Sequence, residues 1–242
     1  MSGTNGDRRD RPEPIVAIDG PAGAGKSTVS RRVAERLGYL LLDTGALYRS
    51  IALAALRAGV ELGDEQALGR LATELAEHRA IQFGRSPAEP AVSLRGEDIS
   101  EAIRAQSIGN AASRISAFAA VRTALLSLQR TFAASGGVVA EGRDMGTVVF
   151  PDAEAKFFLT ASAAVRAERR YRELLGRGQP ASLEQVRQEV IERDERDSRR
   201  AVAPLRQAAD ACLIDASELG VDQVVDRIVD GVRSLDKPPP GS

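Results

Sequence analysis

A chain of 242 residues, 43% of them hydrophobic, is long enough for one compact α/β domain with inserted pieces, and its net charge of −1 excludes any global attraction to nucleic acid or anionic membrane. A lone cysteine, Cys212, excludes an intrachain disulfide and a cysteine-based metal site, and a lone histidine, His78, excludes serine–histidine–aspartate chemistry. No apolar stretch approaches the roughly 20 residues that span a bilayer, so the expectation is a cytoplasmic protein with no membrane and no nucleic-acid partner.

Residues 1–13 are polar, lack the apolar run of a secretory signal and read as a disordered lead-in, as residues 237–242 read as a disordered tail. Between them, 14–236 is expected to form a single domain. Its first apolar run, 15–18, predicts a buried strand. The segment Gly20-Pro21-Ala22-Gly23-Ala24-Gly25-Lys26-Ser27-Thr28 follows at once and fits G-x-x-x-x-G-K-[ST]. Beyond it, Val29, Val33, Ala34 and Leu37 recur at helical spacing and Gly38 closes the helix. Strand, glycine loop and helix aim backbone N–H groups and the positive helix end at one spot, which favours a polyphosphate there. Lys26 then reaches the β- and γ-phosphates, and the Ser27 hydroxyl helps to hold Mg²⁺. Lysine stands at only three positions, Lys26, Lys156 and Lys237, among 33 basic residues. A chain this biased to arginine keeps lysine where a compact ammonium suits phosphate oxygens better than a planar fork.

A second strand, 40–42, ends in Asp43-Thr44-Gly45-Ala46-Leu47-Tyr48-Arg49. Asp43 or Thr44 caps a helix, and Arg49 on its second turn faces the phosphate site; taken alone, the segment is equally a cap with a solvated arginine. Between 77 and 103, three short β-like runs broken by Ser86-Pro87, Pro90 and Gly96 predict a small antiparallel sheet inserted beside the core. A third core strand, 137–140, ends in Glu141-Gly142-Arg143-Asp144-Met145-Gly146. This end of a parallel strand faces the ligand cleft. Arg143 is a candidate phosphate clamp, Asp144 a candidate acceptor for a donor group on a base, and Glu141 a candidate for ordering metal-bound water. A structural salt-bridge cluster is the competing reading.

After a fourth strand, 156–159, residues 161–203 are strongly helical, with Gly176, Gly178 and Pro180 marking a break. Arg166, Arg169 and Arg170 form a basic group that can reach ATP phosphates. Arg193, Asp197 and Arg200, at i, i+4 and i+7, place two positive forks around a carboxylate on one helical face. The alternating signs also fit an ordinary salt-bridged, exposed helix. The fifth strand is 211–214. Five short runs, apolar on both faces and separated by helical patterns, predict a parallel sheet covered by helices, with ligands at the strand C-terminal ends.

These motifs together resemble the bacterial cytidylate kinases, which act on CMP and dCMP. The resemblance is carried by 18–28, by 43–49, by Gly142-Arg143-Asp144-Met145-Gly146-Thr147 with the residues to Pro151, and by Arg193-Asp194-Glu195-Arg196-Asp197-Ser198-Arg199-Arg200 with those to Leu205. It spans about 15–230. The fold it implies is a P-loop three-layer α/β/α domain with a five-stranded parallel core sheet (core 14–43, 136–165 and 201–236), a monophosphate-binding subdomain carrying the small antiparallel sheet (about 44–135) and a helical lid (about 166–200). The reaction it implies is transfer of the ATP γ-phosphate to CMP or dCMP, with Mg²⁺ as cofactor and a monomeric enzyme. Gly20 to Thr28, with Arg166 and Arg170, would bind ATP, and Lys26, Arg143, Arg193 and Arg200 would act on the transferring group. Thr44, Arg49, Arg143, Arg193 and Arg200 would hold the acceptor phosphate and its surroundings, Ser113, Arg122 and Asp144 the cytosine, and Asp197 the sugar hydroxyls. Ser113 and Arg122 are promoted by the resemblance alone. Position 44 is Thr where some relatives have Ser, and the hydroxyl is retained.

Three other classes share parts of this pattern. A kinase for UMP or shikimate would keep the loop and fold without the cytosine set. A GTPase switch would carry an Asn-Lys-x-Asp guanine-reading motif, which this chain lacks. A nucleic-acid-binding ATPase would need a basic surface and stacking aromatics, against 4% aromatic residues here.

Overall fold

A computed structural model describes residues 12–84, 86–88 and 91–235. Pro90, the tail 237–242 and all of the lead-in except Pro12 and Glu13 lie outside the described residues. Glu13 does not behave as lead-in. Its carbonyl accepts from the Gly137 N–H at 3.0 Å and its carboxylate from the Tyr39 hydroxyl at 2.7 Å, so the folded chain begins at least one residue earlier than expected.

Five parallel strands, β1 (Ile15–Asp19), β2 (Leu40–Asp43), β6 (Val138–Gly142), β7 (Ala155–Thr160) and β8 (Cys212–Asp215), form one sheet in the order β2-β6-β1-β7-β8. The central strands β1 and β6 are dry on both faces and read as unbroken apolar runs, while the edge strands β2 and β8 leave Leu40 and Leu213 exposed. Val16, Ile18, Val139, Phe157, Leu159 and Ile214 bury one face under α1 (Lys26–Leu37) and α8 (Val221–Ser234). Ala17, Leu42, Val138 and Ala140 bury the other under α2 (Thr44–Arg57), α3 (Glu65–Glu77), α4 (Gln106–Ile115) and α5 (Ala119–Phe132). Most strands run past their apolar core into a polar C-terminal residue, because ladder pairing continues to the edge of the cleft, where Asp19 and Glu141 stay buried. Asp43 on β2 is level with Glu141 on β6, and Asp19 on β1 with Gly142. The cleft edge of the sheet is thus a row of carboxylates, beside the strand at which chain order reverses.

The antiparallel insert is β3 (Ile81–Phe83), β4 (Val92–Leu94) and β5 (Glu97–Asp98). Arg95 and Gly96, both at positive φ (52° and 85°), make the two-residue turn that the right-handed twist of a hairpin favours. His78, exposed, ends α3. A helical hairpin, α6 (Ala163–Gly176) and α7 (Leu183–Arg199), closes on its own small cluster of Ala167, Leu174, Val186 and Val190. The expected helical face through 200 stops one residue short: α7 ends at Arg199, and Arg200 is extended at φ −61°, ψ 141°. Among the described residues no single helix is long and apolar enough to cross a membrane.

Candidate active site

The loop between β1 and α1 wraps an open helix end. Gly25 sits at φ 96°, no side chain caps α1, and no acidic residue occupies its first turn, so its leading N–H groups remain available to an anion. Gly20, at φ 149°, lets the loop pass so close to β7 that a Cβ there would lie 1.9 Å from the Leu159 carbonyl oxygen. Lys26 is buried, and its ammonium donates to the Gly20 and Pro21 carbonyls at 2.7 Å each. Burial, together with the Arg143 and Arg193 charges, holds it well below the ordinary lysine range, against the pull of Glu141 and Asp19. Ser27 and Thr28 are exposed on a cleft of about 1220 Å³ that runs from the loop to α4 and α7.

Two buried carboxylates stand beside Lys26. Glu141 is pushed up to about 7 by burial and by the Asp43 charge, with Lys26, the Ser27 hydroxyl and Arg49 opposing. Neither of its carboxylate oxygens makes a well-formed hydrogen bond. Asp19 is fully bonded: its two oxygens accept from the Met145 and Gly146 N–H groups at 2.8 Å each. Burial nevertheless lifts it to about 6, the bonds to Gly146 and Met145 pulling the other way.

Across the cleft the cations crowd. The Arg143 Nε donates to Asp197 at 2.9 Å, and these charges outweigh burial to hold Asp197 below the usual carboxylate range. Arg193 falls to about 10, through burial and the neighbouring Arg143 charge, and its buried Nε makes no hydrogen bond among the described residues. Arg200 is also depressed by burial and by Arg122; its buried Nη2 stands 3.5 Å from Asp144 without a hydrogen bond. Arg49 pairs with Asp43 at 2.8 Å while Asp43 caps α2 through the Ala46 N–H. The structure therefore brings Lys26, Arg49, Arg143, Arg193, Asp197 and Arg200 to one cleft.

At its far end, Arg122 donates to the Ser116 carbonyl at 3.1 Å and to Asp144, and lies 5.7 Å above the Tyr48 ring. Asp144 thus accepts from Arg122 and faces the Arg200 charge at 3.5 Å, with lone pairs left over for a ligand. Ser113, buried on α4, accepts from Arg196 at 2.9 Å.

Three of the expected ligand residues have protein partners in this structure. The Thr44 hydroxyl donates to the Glu141 carbonyl at 2.7 Å, which leaves it no proton for a phosphate. Arg166 is buried in a two-pronged pair with Asp194, and it holds the loop itself through the Ala22 carbonyl at 3.0 Å. Arg170 reaches Gln106 and Glu173. Asp19, Arg196 and Gln106 were not singled out from sequence, whereas Arg169 was read as part of a basic group near the ATP phosphates. Arg169 ties the loop to the segment after β8 through the Ala24 and Ala216 carbonyls at 3.1 and 2.7 Å. Only Asp19 carried a readable signal, a carboxylate between a buried strand and the glycine loop.

A parallel sheet ending in a glycine loop, an uncapped helix and a facing wall of arginines defines a phosphate-loop phosphotransferase with room for two nucleotides. The model of the cytidylate kinase family matches residues 16–234. The chain is 49% identical over 228 residues to a cytidylate kinase of Stutzerimonas stutzeri, covering 93% of this chain and 98% of that protein. It is 51% identical over 215 residues to one from Shewanella pealeana (88% and 92% covered) and 50% identical over 217 residues to one from Chromobacterium violaceum (90% and 94%). The chain belongs to the cytidylate kinase family.

Proposed function

We propose that the cleft binds ATP at the loop and CMP or dCMP at the arginine wall, and that the γ-phosphoryl crosses between Lys26 and Arg143, Arg193 and Arg200. The products are CDP or dCDP and ADP. Phosphoryl transfer asks for alignment and charge neutralisation more than for acid–base chemistry. The observation that carries the assignment is a pair of buried guanidinium atoms on a cleft facing Lys26, Arg193 Nε and Arg200 Nη2, that make no hydrogen bond among the described residues. Buried donors without acceptors are costly, and a phosphate between them would supply the missing oxygens.

In this reading Gly20 to Thr28 cradle the ATP phosphates, and Arg166 supports them through the Ala22 carbonyl. Arg49, Arg143, Arg193 and Arg200 hold the acceptor phosphate, and the second Asp197 oxygen is left for a sugar hydroxyl. Asp144, Arg122 and Ser113 face the cytosine. Residues 44–135 act as the monophosphate-binding subdomain, 166–200 as the lid and the remainder as the core. Mg²⁺ bound with ATP would neutralise phosphate charge during transfer. Ser27 would hold it directly and Glu141 through water, an assignment that the unsatisfied Glu141 carboxylate beside Ser27 fits. A monomer is favoured because one chain supplies every residue assigned to the cleft, and a reducing cytoplasm suits the single exposed Cys212.

A coupled assay of ADP release tests the reading. Release should require an acceptor and be fast with CMP and dCMP, slow with UMP and AMP. Equal release without any acceptor would refute it.

A further inference from the structure

Arg196 lies on the lid helix α7 and donates through Nη1 to the Ser113 hydroxyl on α4 at 2.9 Å. Ser113 is 5% exposed, and among the described residues its hydroxyl proton has no acceptor. A serine inside a helix usually donates back to a carbonyl one turn earlier. Here a guanidinium occupies one lone pair and polarises the O–H bond, so the hydroxyl becomes a stronger donor and a weaker acceptor.

We propose that Arg196 is a positioning residue for base selection, holding the Ser113 hydroxyl as a donor towards the pyrimidine. The proposal rests on the assignment of Ser113 to the cytosine. Cytosine offers a bare N3 acceptor beside its N4 amino donor; uracil offers the reverse, an N3–H donor beside the O4 acceptor. A serine hydroxyl that rotates freely serves either edge. A hydroxyl biased to donate, next to the Asp144 carboxylate that can accept, matches cytosine at both positions and opposes uracil at both. Because Arg196 belongs to the lid and Ser113 to α4, the bias exists only while α7 is docked, so base selection and lid closure become one event.

The test is kcat/KM for CMP and for UMP, at saturating ATP, in the parent, Arg196→Met, Arg196→Lys, Ser113→Ala and Arg196→Met/Ser113→Ala. Arg196 is exposed on a helix, so a straight-chain substitution should leave the fold intact, and the lysine variant keeps a donor of similar reach. Arg196→Met should lower the CMP-to-UMP ratio about three- to tenfold, mainly through CMP, as expected for one hydrogen bond. Ser113→Ala should lower it by a similar factor, the double variant no further than Ser113→Ala alone, and Arg196→Lys should retain most of it. An unchanged ratio in Arg196→Met with a lowered one in Ser113→Ala overturns the proposal and leaves Ser113 at the base. Equal losses for the two nucleotides, or additive losses in the double variant, overturn it as well, by making Arg196 a lid latch or an independent contact. An unchanged ratio in both single variants removes Ser113 from the base and the proposal with it.

Discussion

Buried under the glycine loop, the Lys26 ammonium is satisfied by two carbonyls and opposed by two arginine charges, a state that the arrival of phosphate would relieve. Lys26→Ala is predicted to fold normally and to lose on the order of 3 kcal/mol of transition-state stabilisation, about a hundredfold in kcat. A variant turning over within about threefold of the parent would contradict the assigned role. Arg193→Ala and Arg200→Ala should weaken CMP binding tenfold or more, on the scale of about 1.5–3 kcal/mol for a bond to a charged group, with ATP affinity little changed. Calorimetry with each nucleotide separately checks this, and equal losses for both would refute the division of the cleft. Residues read most clearly from sequence were those whose neighbours along the chain fix their geometry, Lys26 above all. Arg200 was placed on a helical face by counting turns, yet the helix ends before it and an extended backbone delivers it to the cleft. Ser113 and Arg122 looked like ordinary helix residues because their place on one cleft depends on α4 and α5 joining at about 100°, which no local pattern records.

The five core strands were legible as elements because each is a short continuous apolar run, buried on both faces in β1 and β6 and partly exposed at Leu40 and Leu213 on the edges, while their polar last residues were not, since hydrogen-bond pairing outlasts hydrophobicity. The π-helical turn Met145–Val149 was illegible for a different reason: its first N–H groups are satisfied by Asp19, from a strand more than a hundred residues earlier. That clamp fixes the segment bearing Arg143 and Asp144 against the glycine loop. It also makes a prediction about pH. Folding raises Asp19 from 3.8 to about 6, so the native state holds this proton more tightly than the unfolded chain. The group's contribution to stability is therefore complete below pH 3.8 and lost as pH rises through about 6. Asp19→Asn removes the titration, so its stability relative to the parent should improve between pH 4.5 and pH 7.5, by roughly 1–3 kcal/mol. Urea unfolding at the two pH values measures this, and a relative loss on going to pH 7.5 would contradict it.

For the molecule as a whole, the helical hairpin proposed as the lid meets the remainder of the cleft through many polar contacts, among them Arg143 with Asp197 and the Arg166 and Arg169 bonds to loop carbonyls. Gln106, at the start of α4, bridges Arg170 on α6 and Glu189 on α7, and Arg196 reaches Ser113. A polar interface of this kind closes over charge, which suits a kinase that must keep water from the γ-phosphoryl. Amide exchange across 163–199 should slow more with ATP and CMP together than with either alone. Exchange indifferent to the nucleotides would argue against closure. The central claim is that one carboxylate, Asp144, reads the base in a cleft otherwise built for phosphate. The most direct test is the ratio of kcat/KM for CMP to that for UMP in the parent and in Asp144→Asn. That ratio does not depend on how much of the variant folds, which matters because the substitution strips the Arg122 guanidinium of its buried counter-charge. The ratio is expected to fall about tenfold or more, chiefly through weaker use of CMP, as for the loss of one specific base contact. A ratio unchanged in Asp144→Asn would place base recognition elsewhere and contradict that claim.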